Sequence, residues 1–206
     1  MSKKQTRQGY HVSAFLYNNI FGDVMENEKK LQTRKSPRLK DFDYGKAGAY
    51  FITICTEHRK NILSSISAPP SVGEGSPLPQ DPCIPKLSYC GKITEKWITE
   101  ISNKYADITV DCYVIMTNHV HLLLGIISDD GRGDPSPTVE TVVGWLKYQA
   151  TKEINKTRNT VGERVFQRSF HDHIVRSKDD YNEIRKYIHE NPLRWQFDKL
   201  YSGDIL

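Results

Sequence analysis

The stretch ITVDCYVIMTNHVHLLLGII, residues 108–127, decides the fold that this sequence predicts. Its first half repeats apolar residues at every second position, a period typical of a β-strand. On this pattern one strand face carries Ile108, Val110, Cys112, Val114 and Met116. The pair Thr117 and Asn118 interrupts the run, and HVHLLLGII continues as a second apolar strand. We therefore predict a β-hairpin.

The flanking segments extend this hairpin into a sheet with helices. AYFITICT, residues 49–56, predicts a buried strand, and a shorter strand lies within RVFQRSFHDHIVR, residues 164–176. Helical periodicity predicts helices over about residues 90–103, after Thr138, and after Ser177, where Thr138 and Ser177 are the capping residues. The order β-α-β-β-α-β-α predicts the α+β class: a ferredoxin-like, split β-α-β antiparallel sheet with helices packed on one face.

The chain divides into three predicted parts. Residues 1–45 have no sustained periodicity and form an irregular, basic N-terminal arm, whereas residues 46–197 form one domain. The segment 64–87 is rich in Pro, Gly and Ser, which predicts a loop inserted into that domain. Residues 198–206 are a C-terminal tail.

Composition excludes several classes of protein. No apolar run approaches the length of a membrane span, and the charged N-terminus lacks the apolar region of a secretory signal, so we expect a cytoplasmic protein. The four cysteines form no C-x-x-C pair, which favours free thiols over a zinc site or a disulfide framework: Cys55, Cys83, Cys90 and Cys112.

The net charge of +4 is modest, but the basic residues are clustered. Clustered positive charge suits a polyanion such as nucleic acid, although a solvated surface is the commoner explanation. The residues predicted to contact DNA are Arg34, Lys35, Arg38, Lys40, Lys147, Lys152, Arg168, His173 and Arg176.

Two histidines interrupt the apolar second strand. His119 and His121 are two residues apart, so on a strand they project from the same face and can reach one metal ion. The alternative is a pair of half-buried histidines, each hydrogen-bonded to a backbone carbonyl. A second H-x-H, His171 and His173, lies in polar and basic surroundings, and we expect it to face substrate instead of metal.

A metal held by two histidines needs a third ligand from another element. Tyr187 and Asn191 lie one turn apart at the edge of the apolar stripe of the last helix, where a phenol nucleophile and an amide oxygen would be neighbours. Tyr187 could equally be an aromatic at the edge of the core. Asn191 precedes Pro192 and could simply end the helix.

Three motifs in this order, MTNHVHLL, FQRSFHDHIVR and YIHENPLRW, resemble the single-tyrosine HUH transposases, and most closely their REP-associated tyrosine transposase-like group. The resemblance covers residues 34–195. It implies that His119, His121 and Asn191 bind Mg²⁺ or Mn²⁺ and that Tyr187 attacks single-stranded or hairpin DNA to form a 5′-phosphotyrosine. One departure is Thr117, where the family commonly has proline.

The resemblance leaves two functions open. One is a metal-dependent single-stranded DNA endonuclease and strand transferase; the other is a domesticated protein that binds or processes hairpin repeat DNA without transposition. A homodimer and a monomer also both remain open. A histidine-triad hydrolase is excluded because residue 123 is Leu where a third histidine is needed.

Overall fold

A computed structural model describes residues 46–66, 85–127 and 137–201 of the chain. The predicted N-terminal arm, with its DNA-contact candidates Arg34, Lys35, Arg38 and Lys40, lies outside the described residues. So do Cys83 and most of the predicted inserted loop.

Within the described residues, six strands and four α-helices follow one another. In order, they are β1 (Gly48–Cys55), β2 (Ser64–Ser65), β3 (Lys86–Leu87), α1 (Tyr89–Thr99), α2 (Ile101–Lys104), β4 (Ile108–Ile115), β5 (His119–Ile126), α3 (Val139–Arg158), β6 (His171–Val175) and α4 (Lys178–Glu190). Two 3₁₀ helices cover Glu57–Arg59 and Asn191–Phe197.

The three longest helices begin at hydroxyl caps. The side chains of Ser88, Thr138 and Ser177 each accept a hydrogen bond from the backbone N–H three residues later. Such a cap satisfies one of the N–H groups that the first helical turn leaves without a partner. The predicted caps at Thr138 and Ser177 are confirmed.

The main sheet has the order β4-β5-β1-β6, and every neighbouring pair is antiparallel. Strand β5 therefore lies between β1 and β4, which run in the same direction as each other, so the β1-α1-β4 unit is a split β-α-β. The predicted hairpin is the pair β4 and β5. The α+β class with a ferredoxin-like antiparallel sheet is confirmed.

Strand β4 does not present one continuous apolar face, so that prediction is wrong. The pairing with β5 shifts between Val110 and Cys112, which makes Asp111 an extra residue in the strand. Because successive side chains alternate between the faces, one extra residue reverses the alternation that follows. Ile108 packs in the core under α1 and α3, whereas Cys112, Val114 and Met116 pack under α4.

The helices cover both faces of the sheet, which corrects the prediction of one covered face. Helices α1 and α3 pack on the face that carries Ile52 and Leu122. Helix α4 packs on the opposite face through Tyr181, Ile184 and Ile188. The two histidines of β5 project from this second face, so α4 lies directly over them.

The ends of the predicted inserted loop are paired with each other. Ser64 and Ser65 form a short antiparallel ladder with Leu87 and Lys86, so the insertion leaves and rejoins the domain through a two-residue ladder. The described cysteines are buried free thiols, as predicted: Cys55, Cys90 and Cys112.

Candidate metal and nucleophile site

His119 and His121 converge on one point beneath α4. Their exposed fractions are 0% and 3%, and the two Nε2 atoms lie 3.1 Å apart. Strand geometry causes this convergence, because residues two apart project from the same face and the rings can tilt toward each other. Strand β5 is paired on both sides, with β4 and β1, so the backbone at both histidines is held rigidly.

The outer nitrogen of each ring is held by a neighbouring side chain. Nδ1 of His119 lies 2.8 Å from Oδ1 of Asn118, and Nδ1 of His121 lies 2.9 Å from the Thr53 hydroxyl. Asn118 is fixed in turn, because its amide donates to the Leu200 carbonyl at 2.9 Å. These bonds orient both rings so that Nε2 faces the shared point, an arrangement typical of metal-binding histidines.

Burial keeps both imidazoles neutral. It lowers the pKa of His119 to about 3, with a smaller contribution from the nearby Arg59 guanidinium. Burial also lowers the pKa of His121 well below its ordinary value, with the neighbouring His119 as the second cause. A neutral imidazole has one nitrogen lone pair, which is the form that binds a metal ion.

Tyr187 brings a phenol to the same point from α4. Its hydroxyl lies 3.4 Å from Nε2 of His121, and the side chain is 43% exposed. Phe51 stacks on the His121 ring and meets the Tyr187 ring edge-on. By contrast, Tyr181 of the same helix is 1% exposed and lies in the core.

Asp198 completes the cluster, although it belongs to the predicted C-terminal tail, residues 198–206. The 3₁₀ helix Asn191–Phe197 turns the chain back over α4, and an Asp198 oxygen and one nitrogen of each histidine all lie within 4.8 Å of one another. Its Oδ2 accepts hydrogen bonds from Asn191 Nδ2 at 3.0 Å and from Tyr187 at 3.3 Å. An acidic residue seven positions after Asn191 was the available signal, but local periodicity does not predict the reversal.

Asn191 lies beside the cluster, where its Nδ2 donates to Asp198. It is 3% exposed, and its Oδ1 is buried without a hydrogen-bond partner in the described part of the chain. An unpaired buried oxygen is costly unless it meets a cation or water. The two neutral imidazoles and the Asp198 carboxylate form a donor set that suits a divalent cation, and the unpaired oxygen makes Asn191 a candidate for a further ligand.

Tyr187 is a weakly acidic phenol in this setting. Burial raises its pKa to about 12, and the negative charge of Asp198 and its hydrogen bond to the phenol add to the effect. The phenol therefore keeps its proton near neutral pH, and a nucleophilic role requires that the proton be accepted as the new bond forms.

A cleft of about 750 Å³ opens beside the cluster. His121, Tyr187 and Asp198 line it, as does His171 of β6. His173 also lies on β6, where its ring pairs with Asp180 at 2.9 Å. Neither histidine of this second H-x-H belongs to the metal-type cluster of the described residues.

Comparison with known proteins identifies the family. The family described as "Transposase IS200 like" matches residues 88–191, which is half of the chain. The chain belongs to the IS200-like transposase family. The matched segment includes His119, His121, Tyr187 and Asn191, and it ends before Asp198. The protein is therefore of the transposase type and processes DNA.

Individual relatives share less than 30% sequence identity with this IS200-like transposase. An uncharacterized protein of Haemophilus influenzae is 27% identical, over 82% of this chain and 93% of the relative. A REP-associated tyrosine transposase, solved bound to a REP hairpin, has a TM-score of 0.53 at 16% identity and covers 79% of this chain and 76% of its own. A candidate transposase of Deinococcus radiodurans has a TM-score of 0.41 at 16% identity, over 75% of this chain and 96% of its own.

The predicted DNA-contact residues of the transposase fall into two groups. Lys147 and Lys152 are on α3, which covers the other face of the sheet; Lys147 donates to the Arg168 carbonyl at 2.8 Å, and Lys152 lies over the Tyr148 ring. Arg168 and Arg176 are exposed and lie before and after β6 in the chain. Within the described ranges, no helix combines the length and apolar character needed to cross a membrane.

Proposed function

We propose that this IS200-like transposase is a metal-dependent single-stranded DNA endonuclease and strand transferase, with Tyr187 as the nucleophile. The observation that carries the proposal is the position of the Tyr187 phenol, 3.4 Å from Nε2 of His121 and 3.3 Å from Asp198. A nucleophile beside two neutral imidazoles and a carboxylate is an arrangement suited to phosphoryl transfer.

In the proposed step, Oη of Tyr187 attacks the scissile phosphorus. The Oη–P bond forms, the bond from phosphorus to the 3′ oxygen breaks, and the phenolic proton leaves while the 3′ oxygen takes up a proton. The Asp198 carboxylate already accepts a hydrogen bond from the phenol, so an acceptor for that proton is in place. The products are a 5′-phosphotyrosine and a free 3′-OH, and the retained phosphoester allows rejoining without ATP.

Mg²⁺ or Mn²⁺ fits the donor set beside this phenol. His119 and His121 would hold the ion through Nε2, with oxygen donors from Asn191 and Asp198. When bound, such an ion polarises the phosphate and offsets charge on the departing oxygen. The chain's own part is to orient the donors, since Asn118 and Thr53 hold the two rings.

The proposed substrate is single-stranded DNA or a hairpin with a single-stranded flank. The cleft of about 750 Å³ lies beside the Tyr187 phenol, and the REP-associated transposase of similar fold was solved with a hairpin. Arg168 and Arg176, exposed before and after β6, would meet phosphates of the bound strand.

A covalent-adduct assay tests the proposal. A hairpin oligonucleotide labelled at its 3′ end is incubated with protein and Mn²⁺ and separated on a denaturing gel. The 3′ fragment should remain attached to the parent protein through its 5′ phosphate. Tyr187→Phe should retain the fold and DNA binding but give no adduct, because only the attacking oxygen is removed.

The matched control is Tyr181→Phe, since Tyr181 lies on the same helix but in the core. It should still form the adduct. An adduct on Tyr187→Phe would refute the assignment of the nucleophile. If the parent protein forms no adduct with any metal, the result would favour a protein that binds hairpin DNA without cutting it.

A further inference from the structure

The second histidine motif shares a sheet face with the metal-type cluster. Thr53 of β1 pairs with His121 on one side and with His171 on the other. Paired residues of an antiparallel sheet project from the same face, so these three side chains form a row across the sheet. His171 is thus two strands from His121, a separation of about 10 Å.

The cleft contains more space than a metal ion beside Tyr187 requires. It contains about 750 Å³, and both His121 and His171 line it. A bound water takes about 30 Å³, so an ion with its remaining waters would fill only a small part. Clefts of about 300–1,000 Å³ enclose ligands of the size of a nucleotide.

One aromatic side chain stands exposed at the wall of this cleft. Phe197 is 88% exposed, whereas Trp195 in the same 3₁₀ helix is 3% exposed and packs near the His119 ring. The short helix is therefore anchored by one aromatic residue and presents the other toward solvent. Bases without a pairing partner stack on such side chains regardless of sequence.

Charged side chains of both signs line the cleft with the exposed ring: Lys186, Arg194 and Lys199, and Glu183, Glu190 and Asp198. Lys199, two residues after Phe197, also lines the cleft and has no acidic partner among the described residues. Arg194 lines it as well, although its guanidinium contacts Glu190 at 3.0 Å. An aromatic face next to a cation matches the base and the phosphate of one nucleotide.

We propose that the cleft between Phe197 and His171 binds the unpaired nucleotide next to the scissile phosphate, with its base stacked on Phe197 and its phosphate near Lys199. This inference rests on the proposed cleavage at Tyr187, because it places that nucleotide beside the Tyr187 hydroxyl. It assigns Phe197 as a substrate-binding residue and the Asn191–Phe197 helix as part of the DNA-binding surface.

The test uses the full-length protein in EDTA, so that cleavage does not interfere. The probes are DNA hairpins with a short single-stranded tail that carries 2-aminopurine at one tail position at a time. With the parent, stacking should quench the fluorescence at one tail position. Phe197→Ala should abolish that quench and weaken binding about 5- to 100-fold, whereas Phe197→Tyr should preserve both.

Two controls make the result specific. Tyr148→Ala removes an exposed aromatic residue, 61% exposed, from α3 on the other face of the sheet, and should change neither reading. A hairpin without the tail should bind parent and Phe197→Ala equally. Unchanged affinity and quench in Phe197→Ala would overturn the inference, as would an equal loss of affinity for the tail-less hairpin.

The adduct assay separates this inference from the proposed function. If the parent forms the adduct and Phe197→Ala binds the tailed hairpin normally, the nucleotide site is wrong and the cleavage proposal stands. If Phe197→Ala loses tail binding but the parent never forms an adduct, the nucleotide site stands and the cleavage proposal fails.

Discussion

The phenol of Tyr187 donates a hydrogen bond to Oδ2 of Asp198 across 3.3 Å. Tyr187 lies on the last α-helix, and Asp198 follows the 3₁₀ helix that turns back over it. The contact joins the candidate nucleophile to a residue outside the segment that matches the transposase family. The C-terminal segment is therefore part of the site.

Replacing Asp198 should weaken metal binding. Asp198→Asn keeps the size of the side chain but removes its charge. Loss of a residue that only supports a metal ligand lowers metal affinity about 10- to 100-fold, so we expect the affinity for Mn²⁺ to fall by at least that factor. Isothermal titration with Mn²⁺ measures this directly. Asp179→Asn, at an exposed carboxylate of α4, is the control. Normal Mn²⁺ binding by Asp198→Asn, together with its loss in Asn191→Ala, would assign the oxygen ligand to Asn191 alone.

Thr53 should be required for metal binding through its hydroxyl. The hydroxyl lies 2.9 Å from Nδ1 of His121 and forms a hydrogen bond with that nitrogen. Thr53→Val has nearly the same shape but cannot hold the ring, so we expect Mn²⁺ affinity to fall about 10- to 100-fold. Thr53→Ser restores a hydroxyl and should bind Mn²⁺ like the parent. Equal affinity in the Val and Ser variants would show that the hydroxyl has no such role.

Acid should destabilise the metal-free protein through the two histidines. The pKa of His119 is about 3 in the folded state against an ordinary value of 6.5, and that of His121 is also lowered. Between those values the unfolded chain binds protons that the folded chain does not. The stabilisation is therefore complete above about pH 6.5 and declines as the pH falls, by about 1.4 kcal/mol per pH unit for each histidine.

Urea unfolding in EDTA between about pH 7 and pH 4.5 measures this decline. Arg59, Asp198 and Tyr187 are the other ionisable groups near the two rings, so the comparison must isolate the histidines. A variant with His119→Gln and His121→Gln should show a shallower pH dependence than the parent. The same slope in both proteins would assign the decline to the carboxylates.

Removing Arg185 should loosen α4 from the sheet. Its Nε lies 3.1 Å from Oδ2 of Asp111, whose side chain is only 2% exposed. Without the guanidinium this carboxylate is a buried, uncompensated charge, so Arg185→Met should lower the free energy of unfolding by about 3 kcal/mol. Lys186→Met, at a side chain 72% exposed, should change it by less than about 0.5 kcal/mol. Urea denaturation compares them, and equal stability of the two variants would contradict an anchoring role.

The sequence by itself determined the features that repeat locally. Apolar alternation around Thr117 and Asn118 predicted the β4–β5 hairpin, and a period of two placed His119 and His121 on one face. The helical period placed Tyr187 at the edge of the apolar stripe of the last helix, and its side chain is 43% exposed. These predictions succeeded because each depends only on the geometry of one element, which a few neighbouring residues specify.

The tertiary structure alone decided how those elements face one another. The bulge at Asp111 is defined only by the pairing of β4 with β5. The apolar residues of β4 after Asp111 lie on the same face as the two histidines, and α4 covers that face. Asp198 reaches the cluster because the chain reverses after Asn191 and Leu200 bonds to Asn118, 82 positions away. Contacts between residues so distant in the chain form only when packing brings them together, and no local period contains them.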